Sequence, residues 1–161
     1  MTSRSSPLLK NPWDQLLQRQ PFSDAYTPEE QAKRLLAALS AIPAPKLLDL
    51  GCGSGRHARW LAEQGARIVA LDSSHVGLRL TRRASAHVRC RVSLTRATFE
   101  ALPFSDRVFD GVLAYCSLSH GLAANCGRSV AELVRVLRPG GVAVIYVLSD
   151  PSRPHKNRLR L

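Results

Sequence analysis

Glycine stands at every second position in the run Gly51, Gly53, Gly55, and a carboxylate, Asp72, follows about twenty residues on. These types at this spacing suit a nucleotide-like ligand. Without a Cβ the loop backbone can turn sharply and come close to a bound group, and a carboxylate at the end of a strand can accept from both hydroxyls of a ribose. Gly53, Gly55 and Ala58 also fit the G-x-G-x-x-A variant of dinucleotide sites, with Asp72 as the ribose-binding acid. From the loop alone, an NAD(P)-dependent oxidoreductase stays open.

Such a loop has to be held by a βαβ unit. Residues 47–50, Leu-Leu-Asp-Leu, are too short for a helix and stop at Gly51, which reads as a buried parallel strand. The spacing predicts a helix over 57–64, with Ala58, Leu61 and Ala62 on one face, so the loop opens onto a helix N-terminus and its N–H donors. Residues 67–72, Arg-Ile-Val-Ala-Leu-Asp, form the second strand, with Asp72 at its carboxyl end.

The chain of 161 residues bounds one domain with a sizeable core, and 45% hydrophobic residues is a globular content. The longest apolar run, 142–148, is too short to span a bilayer, and the N-terminus lacks the apolar stretch of a secretory signal. A cytoplasmic protein with no membrane partner is expected. Cys52, Cys90, Cys116 and Cys126 form no C-x-x-C pair, which indicates neither a disulfide framework nor a zinc site, and no metal is expected. The formal charge of +11 arises from 23 basic against 12 acidic residues, much of it arginine within 79–96 and in the tail 151–161. This balance permits nucleic-acid or other anionic partners without showing them. No aromatic residues interleave with those arginines to stack bases, so a solvated arginine surface is the expectation.

In chain order, residues 1–26 read as a tail and loop with a short helix starting within 11–17, followed by a domain over 27–150 and a basic tail over 151–161. Thr27 to Glu30 form a capping box for a helix that ends before Pro43, with Leu35, Leu36, Leu39 and Ile42 on its apolar face. Trp13 and Tyr26 could stack on a ligand near that helix, or simply pack. A helix is predicted over 73–87 with its arginines facing solvent, then a third strand over 89–98 nearer the sheet edge. Residues 100–110 are a loop, 111–116 a fourth, buried strand, and 117–127 a connection. The helix over 129–137 is expected to turn Val130, Leu133, Val134 and Leu137 inward and to be terminated by Pro139-Gly140-Gly141, with a fifth strand over 142–148. Five strands alternating with helices specify an α/β fold, a Rossmann-like doubly wound parallel sheet, with ligands beyond the strand carboxyl ends.

Four stretches in this order carry a family resemblance over nearly all of 46–148. They are Asp49 to Gly55, Leu71 to Ser74, Glu100 to Val112 with its Leu-Pro-Phe and Phe-Asp, and Glu132 to Gly141 with its Arg-Pro-Gly-Gly. They resemble the successive motifs of class I S-adenosylmethionine-dependent methyltransferases. Residues 53–57 followed by a helix resemble the small-molecule branch that includes tellurite-resistance-type enzymes. The resemblance implies the class I methyltransferase type of sheet, S-adenosyl-L-methionine as cofactor, and transfer of its methyl group to an acceptor. Family members continue past the fifth strand with two further strands that close the sheet edge and shape the acceptor pocket. The chain here is expected to lack them, as a fragment, a splice or frameshift form, or a module that binds cofactor and acts through a partner without turnover. A small-molecule acceptor is the first expectation, with RNA or protein acceptors open, and a dimer or partner is expected to cover the open edge.

The resemblance also assigns residues. Gly51, Cys52, Gly53 and Gly55 would give backbone contacts to the methionine and ribose portions. Asp49 would support the loop and reach the methionine ammonium through water, and Arg56 would pair with the methionine carboxylate. Asp72 would take both ribose hydroxyls, with Ser73 beside it. Many members place an aspartate at the adenine position where this chain has Thr98, so weaker adenine binding is expected. Phe99 would add packing, and Glu100 matches the acidic position of that loop. Asp110 reads as structural. Methyl transfer is an in-line displacement and needs a base only when the acceptor must lose a proton. His120, after the fourth strand, is the titratable group placed for that, and Tyr115 and Cys116 line the same mouth.

Overall fold

The computed structural model describes residues 11–19, 30–118 and 123–147. Five parallel strands form one sheet, β1 (Lys46–Leu50), β2 (Arg67–Asp72), β3 (Val92–Arg96), β4 (Phe109–Tyr115) and β5 (Leu137–Tyr146), in the order β3-β2-β1-β4-β5. This is the doubly wound sheet that the alternating pattern predicts, with β3 at an edge. β1 is its centre, flanked by β2 and β4, so the strand order reverses there and the carboxyl ends of β1 and β4 splay into a crevice. The β1 side chains alternate between two cores. Leu47 packs with Ala32, Leu35, Leu61 and Ile68 on one face, while Leu48 and Leu50 pack with Leu71, Phe109, Val112 and Leu133 on the other. Both faces of β4 are buried, which is why it reads as a continuous apolar run.

The helices are α1 (Pro12–Arg19), α2 (Glu30–Ala38), α3 (Arg56–Glu63), α4 (His75–Ala84) and α5 (Ala123–Val136), with a 3-10 turn over Ala86–Arg91. The span 1–26 therefore contains a helix. Asn11 caps it, accepting from the Trp13 N–H at 3.0 Å with Pro12 at the first helical position, and α1 packs on α4. Residues 27–29 of the capping box, Tyr26, Leu148 and the tail 151–161 lie outside the described residues, and Glu30 begins α2. No described helix is long and apolar enough to cross a membrane.

Several boundaries differ from the sequence reading. The helix predicted over 73–87 ends at Ala84, and the strand predicted over 89–98 is confined to 92–96, because the 3-10 turn occupies the residues between them. α5 starts at Ala123, with Gly127 inside it rather than in a connection. β5 starts at Leu137, directly after α5. Leu137 pairs with Phe109 and Val142 with Gly111, so Arg138 to Gly141 form a bulge in the strand instead of a turn before it. Val130 and Val134, expected inward, are 40% and 67% exposed, and Ile42 is 39% exposed. Among the described side chains of α5 the buried ones are Ser129, Leu133 and Val136, a narrower stripe than four apolar residues suggest.

Candidate functional site

The β1–α3 loop is held mostly by hydrogen bonds to the end of β2. The N–H groups of Gly51 and Cys52 both donate to the Leu71 carbonyl, at 2.8 and 3.0 Å, and the Gly55 N–H donates to Cys52 at 2.9 Å. The Gly53 N–H donates to Asp72 Oδ2 at 2.9 Å. Gly55 caps α3 at φ +86, where a Cβ would sit 2.7 Å from the Thr81 backbone. Gly53, at φ +54, has nothing within 4 Å of a Cβ position, so its missing side chain leaves open space. Asp49, at the end of β1, reaches across to accept from the Ala58 N–H and supplies the side-chain cap that Gly55 cannot.

Asp49 is 2% exposed, and its Oδ2 has no partner. Burial, reinforced by the neighbouring Asp72, pushes its carboxyl up to about 7 against the pull of the Ala58 N–H and Arg56. Asp72 is 8% exposed, accepting from Gly53 on Oδ2 and from the Ser74 N–H on Oδ1 at 2.8 Å. Burial raises its pKa, and these backbone donors oppose the rise. With the Ser73 N–H as a third backbone donor, the carboxylate still has capacity for a further hydrogen bond. Capping of α4 falls to Ser74, whose Oγ accepts from the Gly77 N–H at 2.9 Å and donates to Asp14 of α1.

A cavity of about 280 Å³ opens at the strand carboxyl ends. It brings together Gly51, Gly53, Asp72, Ser73, Thr98, Phe99, Glu100, Tyr115 and Cys116 from the sequence-derived set. Asp49, Cys52, Gly55 and Arg56 do not line it. Cys52 is buried, its sulfur accepting from Thr81 Oγ1 at 3.5 Å, and burial pushes the thiol well up. Arg56 lies over the Tyr115 ring, 5.4 Å from its centroid, and Tyr115 stacks on Tyr146 at 4.8 Å. His120 lies outside the described residues. Trp13 and Leu17 of α1 and Ser117 also line the cavity. Leu17 and Ser117 are absent from the sequence-derived set. The capped Asn-Pro start of α1 was the available signal, but its docking depends on Asp14 accepting from Ser74 Oγ and the Val76 N–H, and on Asn11 donating to Ser73 Oγ at 3.2 Å.

The loop at 98–104 is tied to α5. Glu132 accepts from the Leu102 N–H at 2.7 Å, and Arg135 donates to the Leu102 and Phe104 carbonyls, Glu132 and Asp106. Hydrogen bonds from Arg135 and Leu102 hold the Glu132 carboxyl down at about 2. Asp110 is structural, accepting from the Lys46 N–H at 2.7 Å and from Arg138.

Residues 48–145 match the methyltransferase domain family. This chain belongs to that family. The methyltransferase domain is 35% identical over 127 residues to the malonyl-[acyl-carrier protein] O-methyltransferase of Salmonella typhimurium, covering 78% of this chain and 48% of that protein. It is 37% identical over 119 residues to the demethylmenaquinone methyltransferase of Clavibacter sepedonicus, covering 73% and 46%. The Burkholderia thailandensis 1,6-didemethyltoxoflavin-N1-methyltransferase, solved with 1,6-didemethyltoxoflavin and S-adenosylhomocysteine bound, superposes with a TM-score of 0.66 at 26% identity. That match covers 77% of this chain and 53% of the solved one. The chain spans about half the length of the curated relatives it matches.

Proposed function

We propose that this domain binds S-adenosylmethionine in the cavity beyond β1, β2 and β4 and transfers its methyl group to a small-molecule acceptor. The observation that carries the reading is the Asp72 carboxylate, held by backbone N–H groups with acceptor capacity left over, at the edge of a cavity that Gly53 also lines. The donor set fits the cofactor. Asp72 would accept from the ribose hydroxyls. The unpartnered Asp49 Oδ2, buried behind the loop, would favour a cationic ammonium through water. Phe99, Trp13 and Leu17 offer apolar surface for a purine, and Thr98 offers a hydroxyl where many family members have an aspartate. When bound, the cofactor supplies an electrophilic methyl group on a positively charged sulfur.

The protein's part is positioning and exclusion of water. α1 roofs the cavity through Trp13 and Leu17, and Glu132 and Arg135 hold the loop that carries Phe99 and Glu100. His120 is the residue proposed to take a proton where the acceptor carries one.

Calorimetric titration with S-adenosylhomocysteine tests the binding. Asp72→Ala should weaken it more than about tenfold, or about 1.4 kcal/mol, and an unchanged affinity would remove Asp72 from the site. NAD(P), run in parallel, should neither titrate nor raise the melting temperature. A screen for labelled methyl transfer to small-molecule extracts then separates turnover from binding alone.

A further inference from the structure

Between Asp72 and Glu100 the chain has no acidic residue but six arginines, Arg79, Arg82, Arg83, Arg89, Arg91 and Arg96. In the fold these fall on one edge of the molecule. α4, the 3-10 turn and β3 pack against one another, with β3 the outermost strand. The inner face of α4 buries Val76, Gly77, Leu78 and Thr81, which leaves Arg79, Arg82 and Arg83 on its outer face, and all six arginines are exposed. Two are anchored by backbone, Arg91 donating to the Gly65 carbonyl at 2.8 Å and Arg96 to the Ser73 carbonyl at 3.1 Å. Ser73 lines the cavity, so the arginine face starts at the cavity rim. The side chains of the other four, Arg79, Arg82, Arg83 and Arg89, make no ion pair or hydrogen bond among the described residues. The nearby carboxylates are engaged elsewhere, Glu63 by His87 and Arg59, and Asp14 by Ser74 and Val76.

Four unpaired guanidinium groups with no acid among them repel one another, a cost that an anionic partner relieves. Two features select its class. The exposed large hydrophobic residues, Leu16, Ile42, Val130, Val134, Ile145 and Val147, all lie outside 73–98, so the face lacks the apolar anchors that centre a protein interface. The face also carries no aromatic residue to stack an unpaired base, which disfavours single strands. Backbone phosphates in a duplex need neither, and arginine meets them through its planar fork of donors.

We propose that the arginine face of α4, the 3-10 turn and β3 binds the phosphate backbone of double-stranded nucleic acid without reading sequence. With four phosphates neutralised, log K should fall against log salt with a slope of about −3.6. Between 50 and 200 mM salt that is a loss of about 100-fold in affinity.

Fluorescence anisotropy with labelled 20-base-pair RNA and DNA duplexes tests this, and the two arms show which duplex is preferred. R79Q/R82Q/R83Q should weaken binding by about tenfold or more and flatten the salt slope. K33Q/R34Q/R128Q, which removes the same charge from α2 and α5, should leave binding within about twofold of wild type. Unchanged thermal unfolding of both triple variants shows that they are folded. Absence of saturable binding to either duplex at 50 mM salt overturns the proposal, as does equal weakening by the two variants. Binding to poly-glutamate as tight as to the duplexes also overturns it, and makes the face a site for acidic protein.

Discussion

Asp49 and His57 stand near each other in the chain and carry opposite pH penalties. The Asp49 carboxyl, raised by burial from 3.8 to about 7, keeps its proton in the folded state where the unfolded chain has released it. Between pH 4 and 7 the folded state binds more protons, so this group's contribution to stability falls as pH rises, by about 4 kcal/mol over the window. Burial, with Arg56 adding to it, pushes His57 from 6.5 down to about 4, and its Nε2 has no partner. There the unfolded state binds more protons between pH 4 and 6.5, so stability rises with pH, by about 3 kcal/mol. The two nearly cancel in the wild type. Asp49→Asn keeps an acceptor for Ala58 and cannot titrate. Urea unfolding at intervals from pH 4 to 7 should show the wild-type stability falling relative to Asp49→Asn by about 4 kcal/mol, and parallel pH profiles would mean that Asp49 is ionised throughout. Asp49, Asp72 and the glycines could be singled out in the sequence because strand end, loop and helix start fall in one short stretch. Leu17 and Ser117 could not, since each reaches the cavity only through the docking of another element, α1 on α4 and the end of β4 beside the Gly51 loop.

At the scale of elements, β1, β2, α3 and β4 were legible because each is bounded by glycine or charge and keeps one period throughout. α5 and β5 were not. Gly127 looks like a break, yet α5 runs through it at an exposed position, and Pro139-Gly140-Gly141 looks like a turn although Leu137 is already paired with Phe109. The bulge is supported by Arg138, which holds Asp110 while Asp110 accepts from the first N–H of β1. α5 reaches the cavity through Glu132 and Arg135, which fix the 98–104 loop. Glu132→Ala leaves the part-buried Leu102 N–H without its acceptor, at a cost of about 2 kcal/mol. The melting temperature should fall by about 5 °C, and cofactor affinity should fall with it because Thr98, Phe99 and Glu100 lose their fixed loop. Glu132→Gln, which keeps one acceptor for Leu102, should recover part of both. A Glu132→Ala variant with wild-type affinity and stability would show that the loop holds its shape without α5.

For the molecule as a whole, the parallel, doubly wound sheet followed from handedness and connection rules, because a chain of alternating strands and helices has few ways to close both faces. The distribution of its charge did not. An acid-free run is visible in the sequence, but only the packing of α4, the 3-10 turn and β3 on one another turns its arginines into a single face. The opposite edge presents the reverse chemistry. Among the described residues β5 is paired only with β4, and Ile145 and Val147 are 44% and 53% exposed. Unpaired backbone groups next to exposed branched apolar side chains form a template for another strand, and charge on such an edge opposes it. Ile145→Lys with Val147→Lys should therefore raise the concentration at which light scattering appears on warming. The unfolding midpoint should stay within about 2 °C, since substitution of exposed side chains changes stability little. If scattering begins at the same concentration in the double variant, self-association runs through another surface, and the β5 edge is protected in solution.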